Sequence, residues 1–275
     1  MRVSLSFLVL VIVFAIIITN NVKKKCIKTE TAIDLPLNNE IHGQQIVLTH
    51  LACIMDGNRR WAKKRGLSAW QGHGEGIQIA RSVVEFCLEK NIKYLTLYIL
   101  SPENLSRPLQ ELNYLFELMA TEAKKGADEY KKQGICIRFR GDRSLFPSSL
   151  IPLLDDIEKE TAGMQKLQVT LLFCYGGRQE IVAAVKNIIK DVKNGSRHED
   201  EISPDSFHSY LWTADLPDPD LIIRTGCVSR LSNFLLYQAA YSELYMLDCL
   251  WPDVTKEHLQ DALDFYANTK RTFGK

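Results

Sequence analysis

The sequence lacks an excess of charge of either sign, and it lacks the cysteine spacing of a metal centre or a disulfide framework. Lysine and arginine total 34 and aspartate and glutamate total 33, so the formal net charge of the 275-residue chain is +1. Because no global field attracts nucleic acid, we expect none as a partner, and any anion must be bound by cations placed locally. The seven cysteines are odd in number and form no C-x-x-C pair, which is typical of a protein in a reducing compartment.

Two nucleotide-binding signatures are also missing. Neither G-x-x-x-x-G-K-[ST] nor G-x-G-x-x-G occurs, which disfavours the α/β enzymes that hold phosphates on those glycine-rich loops. The chain contains no internal repeat and no low-complexity tract. A binding site must therefore be sought residue by residue.

One long hydrophobic run is present, at the N-terminus. Residues 3–18 are almost wholly apolar, with Arg2 before them and three lysines after them at positions 23–25. The run is shorter than the roughly 20 residues of a spanning helix, and no A-x-A cleavage site follows it. We expect residues 1–20 to form an uncleaved membrane anchor, with the lysines holding the rest of the chain on the cytoplasmic side. A misassigned start codon is the alternative.

Beyond a polar linker at residues 21–45, short apolar runs of β type alternate with longer amphipathic ones. This alternation predicts an α/β fold, a single domain over residues 46–275 with a mainly parallel central sheet flanked by helices. The predicted strands lie at residues 51–55, 94–100, 135–139, 169–174, 220–224 and 244–247. The predicted helices lie at residues 76–90, 110–132, 149–162, 178–193 and 256–269. Ligands of such folds gather at the carboxyl ends of the strands, so the polar residues there are the candidate site.

Two clusters of polar residues directly follow predicted strands. Residues 56–61 combine an acid, a glycine and two arginines at a helix start, where a metal-bound diphosphate would fit. Asp and Asn are equally ordinary helix caps, so this pattern alone leaves both interpretations open. Residues 101–108 follow the second strand, and a capped loop explains Pro108 there but not the group of Glu103, Asn104 and Arg107.

A third cluster contains two arginines and a hydroxyl. Arg224 ends a predicted strand, and Arg230 and Ser232 follow closely, so a second phosphate-bearing ligand would fit between them. Farther on, Glu243 is a lone carboxylate between aromatic residues. A metal ion shared with Asp56 would supply the partner that such a carboxylate needs.

Taken together, these motifs resemble the cis-prenyltransferases. The likeness runs in order from about residue 50 to residue 274, which covers nearly the whole predicted domain. The trans-type synthases instead carry D-D-x-x-D motifs, which this chain does not contain. The matching motifs are M-D-G-N at 55–58, R-W-A-K-K at 60–64, G-H at 72–73, E-N-x-x-R-P at 103–108, Y-G-G-R at 175–178, I-R-T at 223–225, R-L-S-N-F at 230–234, E-L-Y at 243–245 and L-W-P-D at 250–253.

The resemblance implies an enzyme that uses Mg²⁺ to add isopentenyl diphosphate to an allylic diphosphate, with each new double bond cis. It implies that Asp56 and Asn104 are catalytic, and that Asp56 and Glu243 are the protein ligands of the metal. Since a carboxamide is too weak a base to hold a proton, we expect Asn104 to orient the substrate or a phosphate oxygen that takes the proton. The implied substrate contacts are Gly57, Asn58, Arg59, Arg60, Trp61, His73, Ser101, Pro102, Glu103, Leu105, Arg107, Arg224, Arg230, Leu231 and Ser232.

The resemblance further implies a homodimer that starts from farnesyl or geranyl diphosphate. Its expected product is undecaprenyl diphosphate, the precursor of a lipid carrier for cell-wall synthesis. A cytoplasmic enzyme attached to the membrane by residues 1–20 would agree with a lipid product. A non-catalytic prenyltransferase-like subunit and a short-chain synthase are the alternatives, since a fold alone does not establish a function.

The chain departs from the family pattern at four positions. Ala69 stands where an arginine is common, and the loss of one phosphate contact is expected to weaken binding roughly ten- to hundredfold. Val228 stands where a glutamate is expected, and Leu105 stands where a tryptophan is usual. Ile99 replaces a small residue, and if it faces the hydrocarbon it would narrow the tunnel and shorten the product.

Overall fold

Parallel strands form the centre of the protein. The computed structural model describes residues 48–271, so the predicted anchor at residues 1–20 and linker at residues 21–45 lie outside the described residues. The strands form one sheet in the order β3-β4-β2-β1-β5-β6, and every neighbouring pair is parallel. This confirms the predicted fold class. The strands are β1 (His50–Ile54), β2 (Tyr94–Leu100), β3 (Ile135–Arg140), β4 (Leu167–Phe173), β5 (Leu221–Arg224) and β6 (Glu243–Met246).

The central strands are covered on both faces. All five residues of β1 are buried. Leu51 and Cys53 belong to the larger core, whereas Ala52 and Ile54 belong to a second core that also contains Phe234. Because side chains alternate between the faces of a strand, a strand buried on both sides reads as a continuous apolar run.

Helices pack on this sheet. Side chains of α2, α4 and α7 share the larger core with β1. The helices are α1 (Asn58–Lys64), α2 (Ala69–Glu89), α3 (Leu109–Gln133), α4 (Ile151–Thr161), α5 (Gly177–Lys193), α6 (Pro204–His208) and α7 (Lys256–Asn268). Within residues 48–271, none of the helices has both the length and the apolar character that crossing a membrane requires.

The helix α2 begins at Ala69, seven residues before the predicted start at residue 76. Glycine has a low helix propensity, so Gly72 and Gly76 made the first two turns of α2 look non-helical in the sequence. The structure needs both glycines, because a Cβ atom at Gly72 would lie 2.2 Å from the backbone oxygen of Asn58. A Cβ atom at Gly76 would lie 2.5 Å from Asn58 Oδ1. The two glycines therefore let α1 pack closely against α2. His73 lies between Gly72 and Gly76 in the sequence of α2.

Candidate active site

The carboxyl ends of β1 and β5 bring an acid and two arginines together. Ile54 pairs with Arg224, so Asp56, two residues beyond Ile54, lies beside the end of β5. Asp56 Oδ2 accepts a hydrogen bond from Arg224 Nη2 at 2.9 Å, and Asp56 Oδ1 lies 3.1 Å from Arg60 Nη2. The Asp56 side chain remains 32% exposed. It is therefore held by cations and still open to a ligand.

Arg224 is the buried cation of this group, with a side chain only 4% exposed. Its Nη1 atom donates to Ser232 Oγ at 2.7 Å and to the backbone oxygen of Arg230. Its Nε atom is buried and has no hydrogen-bond partner within the described part of the chain. Because an unpaired buried N–H is unfavourable, this atom marks a place where an acceptor such as a phosphate oxygen would bind.

A buried acid that the sequence did not single out, Glu111 of α3, organises the facing basic side chains. Its side chain is 5% exposed, and its Oε1 atom lies 3.2 Å from His73 Nε2, 3.5 Å from Arg107 Nη1 and 3.6 Å from Arg59 Nε. Burial lowers the pKa of His73, and the hydrogen bond to Glu111 offsets part of that shift. Three predicted substrate ligands therefore depend on one carboxylate. In the sequence, Glu111 resembles any acid in the first turn of a helix.

The loop after β2 joins the second polar cluster to the third. Pro102–Ser106 forms a short 3₁₀ helix, in which the Asn104 side chain accepts a hydrogen bond from the backbone N–H of Ser101 at 3.4 Å. Glu103 Oε1 accepts from Asn233 Nδ2 at 3.2 Å. Since Asn233 follows directly after Ser232, this contact ties the loop to the segment that surrounds Arg224.

A cavity of about 870 Å³ opens from these polar residues into the apolar space between α2, α3 and the sheet. Ile99 is part of the cavity wall. The prediction that Ile99 narrows the tunnel requires this position. The cavity fits a ligand with an anionic head and a hydrocarbon tail. The polar side chains at its head end are Asp56, Asn58, His73, Ser101, Asn104, Arg107, Arg224 and Ser232.

A second pocket of about 780 Å³ adjoins the first around the start of α1. Gly57, Arg59 and Arg60 line it, together with His73 and Arg107, which also line the larger cavity. Ala69 lies on its wall as well. An arginine at that position would therefore have added a cation to this pocket.

Three of the predicted substrate contacts, Trp61, Leu231 and Leu105, pack against other protein groups. Trp61 Nε1 donates to Asp253 Oδ1 at 2.7 Å, and the Arg65 guanidinium lies 4.0 Å from the centre of the Trp61 ring. Leu231 packs against the second core, and Leu105 packs against the larger one. That Trp61, Leu231 and Leu105 contact a substrate stays a prediction.

Glu243 lies at the other end of the sheet from Asp56. It is the first residue of β6 and pairs with Leu221, which in turn pairs with Leu51 of β1. Asp56 is five residues farther along than Leu51, which corresponds to roughly 16 Å at 3.3 Å per strand residue. A metal ion shared by Asp56 and Glu243 of one chain is therefore not compatible with this register. Among residues 48–271, no three His, Cys, Asp or Glu side chains converge as a metal-binding group.

Known proteins match the chain over most of its length. The family model described as "Putative undecaprenyl diphosphate synthase" matches residues 54–274. A ditrans,polycis-undecaprenyl-diphosphate synthase ((2E,6E)-farnesyl-diphosphate specific) of Xylella fastidiosa is 43% identical over 225 residues, which are 82% of this chain and 88% of that protein. A tritrans,polycis-undecaprenyl-diphosphate synthase (geranylgeranyl-diphosphate specific) of Methanopyrus kandleri is 41% identical, over 82% of this chain and 84% of that protein.

A solved structure agrees with these matches. Lavandulyl diphosphate synthase from Lavandula x intermedia, in complex with dimethylallyl diphosphate, superposes with a TM-score of 0.81 and 32% identity, over 84% of this chain and all of that one. The fold, the anion site and the sequence matches define an enzyme that transfers prenyl groups. The chain belongs to the cis-prenyltransferase family, as its motifs predict.

Replacement of Glu111 by alanine is expected to destabilise the protein. The change leaves His73, Arg107 and Arg59 without their shared counter-charge, and we expect a loss of about 2 kcal/mol in the free energy of unfolding. Urea denaturation measures it. Glu117→Ala, at an exposed position of the same helix, is the matched control. Equal urea midpoints for the two variants would contradict the organising role of Glu111.

Proposed function

We propose that this enzyme condenses isopentenyl diphosphate with an allylic diphosphate and forms each new double bond cis. Farnesyl diphosphate is the proposed primer and undecaprenyl diphosphate the proposed product. The Xylella fastidiosa relative, named for both compounds, supports this choice. The observation that carries the proposal is the buried, incompletely bonded Arg224 beside Asp56, at the head of an apolar cavity.

Magnesium is the proposed metal, and Asp56 fits it. Mg²⁺ prefers hard oxygen ligands and is commonly held by one or two carboxylates together with substrate phosphates. The exposed part of the Asp56 carboxylate at the cavity head provides such an oxygen. When bound there, the ion would neutralise charge on a departing diphosphate.

The protein's own groups serve two anionic heads. Arg59, Arg60 and His73 line the pocket at the start of α1, where the allylic diphosphate is proposed to bind, and Glu111 contacts His73. Arg224, Arg230 and Ser232 lie at the end of β5, where isopentenyl diphosphate is proposed to bind. Fixed cations at both places stabilise charge that develops when the allylic carbon–oxygen bond breaks, because they need no reorganisation during the reaction.

The alternatives differ in product or in activity. A non-catalytic subunit is disfavoured, because the contacts of Asp56 with Arg60 and Arg224 are intact. A short-chain product has one observation in its favour, which is that Ile99 stands in the cavity wall. Undecaprenyl diphosphate is retained as the proposed product, and its length is read directly in the assay below.

The enzyme is proposed to act as a homodimer. Three exposed apolar side chains, Val182, Val185 and Ile189, follow each other on one face of α5 at 52%, 42% and 48% exposure. Such a stripe is typical of a helix that packs against a second surface. In this homodimer, Glu243 of the partner subunit is proposed to join Asp56 at the metal, because the strand register keeps the two residues of one chain apart.

The site of action is proposed to be the cytoplasmic face of a membrane. Residues 3–18 are apolar and the lysines at 23–25 favour retention on the cytoplasmic side. A polyprenyl product enters a bilayer, so attachment there would shorten its path.

Replacement of Asp56 by alanine is expected to slow elongation severely. The full-length protein with farnesyl diphosphate, radiolabelled isopentenyl diphosphate and Mg²⁺ should give a ladder of polyprenyl diphosphates that is resolved by chain length. The Asp56→Ala variant should lose about 10²–10³-fold in rate, since it lacks the carboxylate that holds both arginines and the metal. Asp200→Ala, at an exposed position, is the control. A wild-type protein that is folded but makes no product would favour the non-catalytic subunit.

Mixed dimers test whether the second copy supplies Glu243. Two differently tagged chains, one carrying Asp56→Ala and one carrying Glu243→Ala, are co-expressed and the mixed dimer is purified through both tags. Each variant alone should be inactive, whereas the mixed dimer should regain elongation, because one of its two sites then contains both carboxylates. A dimer with Asp56→Ala in both chains is the control. An inactive mixed dimer would show that the two residues do not act across chains.

A further inference from the structure

A pair of opposite charges interrupts the apolar wall of the large cavity. Arg81 of α2 and Glu122 of α3 both line the cavity, and Arg81 Nη2 donates a hydrogen bond to Glu122 Oε2. The Glu122 side chain is 19% exposed and that of Arg81 is 46% exposed. The pair therefore bridges the two helices at the boundary between the cavity and solvent.

The pair lies well below the anionic head of the cavity. His73 of α2 contacts Glu111 of α3 at the head end. Arg81 follows His73 by eight residues, or about 12 Å of helix, and Glu122 follows Glu111 by eleven residues, or about 16 Å. A hydrocarbon that grows from a diphosphate at the head must pass between these helices to reach the pair.

Further polar side chains line the helix side of the cavity beyond the pair, whereas Ile137 and Val169 keep the sheet side apolar. On the same side as the pair its wall includes Glu85 of α2, and Glu129, Tyr130 and Gln133 of α3. Burial raises the pKa of the Tyr130 hydroxyl. A hydrocarbon chain gains little by leaving water for such a surface, and it would strip water from the charges that it covers.

We propose that the Arg81–Glu122 pair is a clasp between α2 and α3 that determines where the growing hydrocarbon stops, and hence the product length. This inference rests on the proposed elongation reaction and adds to it the residues that limit the product. The clasp holds the two helices at a fixed separation and presents charge to the tail of the product. Removal of both charges extends the apolar wall, so further isoprene units are accommodated before growth stops.

The pair differs from an ordinary surface ion pair on the same helix. Lys256 Nζ and Glu89 Oε1 join α7 to the end of α2 at 2.8 Å, but their side chains are 52% and 54% exposed and neither lines the cavity as described. Exposed ion pairs of this kind contribute little to the free energy of unfolding. Lys256→Leu therefore serves as a matched control that removes a charge from outside the cavity.

The test compares product lengths made by full-length variants from farnesyl diphosphate and radiolabelled isopentenyl diphosphate. The double variant Arg81→Leu/Glu122→Leu should lengthen the main product by at least one isoprene unit. The exchanged variant Arg81→Glu/Glu122→Arg, which rebuilds the pair, should keep the wild-type length, as should Lys256→Leu. The rate of the first condensation should stay unchanged in all of them, because the pair is remote from the reacting atoms.

The outcomes separate the clasp from the reaction itself. Wild-type elongation with a product length that the double variant leaves unchanged would overturn the clasp alone. A wild-type protein that makes no polyprenyl diphosphate would overturn both proposals. Thermal melting checks the fold of each variant, and Arg81→Met/Glu122→Met, which keeps flexible side chains of similar length and removes both charges, is the second test if the first double variant fails to fold. Its main product should also be longer than that of the wild type.

Discussion

The ion pair between Asp56 and Arg224 is the interaction on which the site depends. Parallel pairing of β1 with β5 places the two residues side by side at the carboxyl end of the sheet. Arg224 is almost fully buried, and a buried guanidinium is tolerated only with a counter-charge and hydrogen-bond acceptors. Asp56, Ser232 and the backbone of Arg230 supply these and leave the Nε–H group for a ligand. A chain of nearly zero net charge thereby gains a strongly cationic point.

The apolar cavity is the second constraint, and it follows from the same topology. Protein interiors are close-packed, so a space of about 870 Å³ between α2, α3 and the sheet implies an occupant. The helices that border it run away from the anion site, since each connects the carboxyl end of one strand to the amino end of the next. An anionic head and a hydrocarbon tail are therefore aligned by the fold itself. The chemistry needs only a fixed head and room for a tail that grows.

Much of this arrangement was predictable from the sequence, because the strands are buried on both faces and the polar motifs follow them directly. The six predicted strands overlap the observed ones. The three polar clusters meet at the carboxyl ends of β1, β2 and β5, where they line one cavity. The start of α2 was missed, since Gly72 and Gly76 serve packing and not flexibility. Glu111 was missed because its partners come from three separate segments. The placement of Glu243 relative to Asp56 required the strand order and register, which no local pattern contains.

The central claim is that the buried guanidinium of Arg224 binds a substrate diphosphate. Titration calorimetry of isopentenyl diphosphate into the full-length protein tests it most directly, with Arg197→Gln, a partly exposed arginine outside the site, as the control. Loss of a charge-assisted hydrogen bond in Arg224→Gln should weaken binding roughly ten- to hundredfold, while the control keeps the wild-type affinity. Equal affinities for a folded Arg224→Gln variant and the wild type would contradict the account.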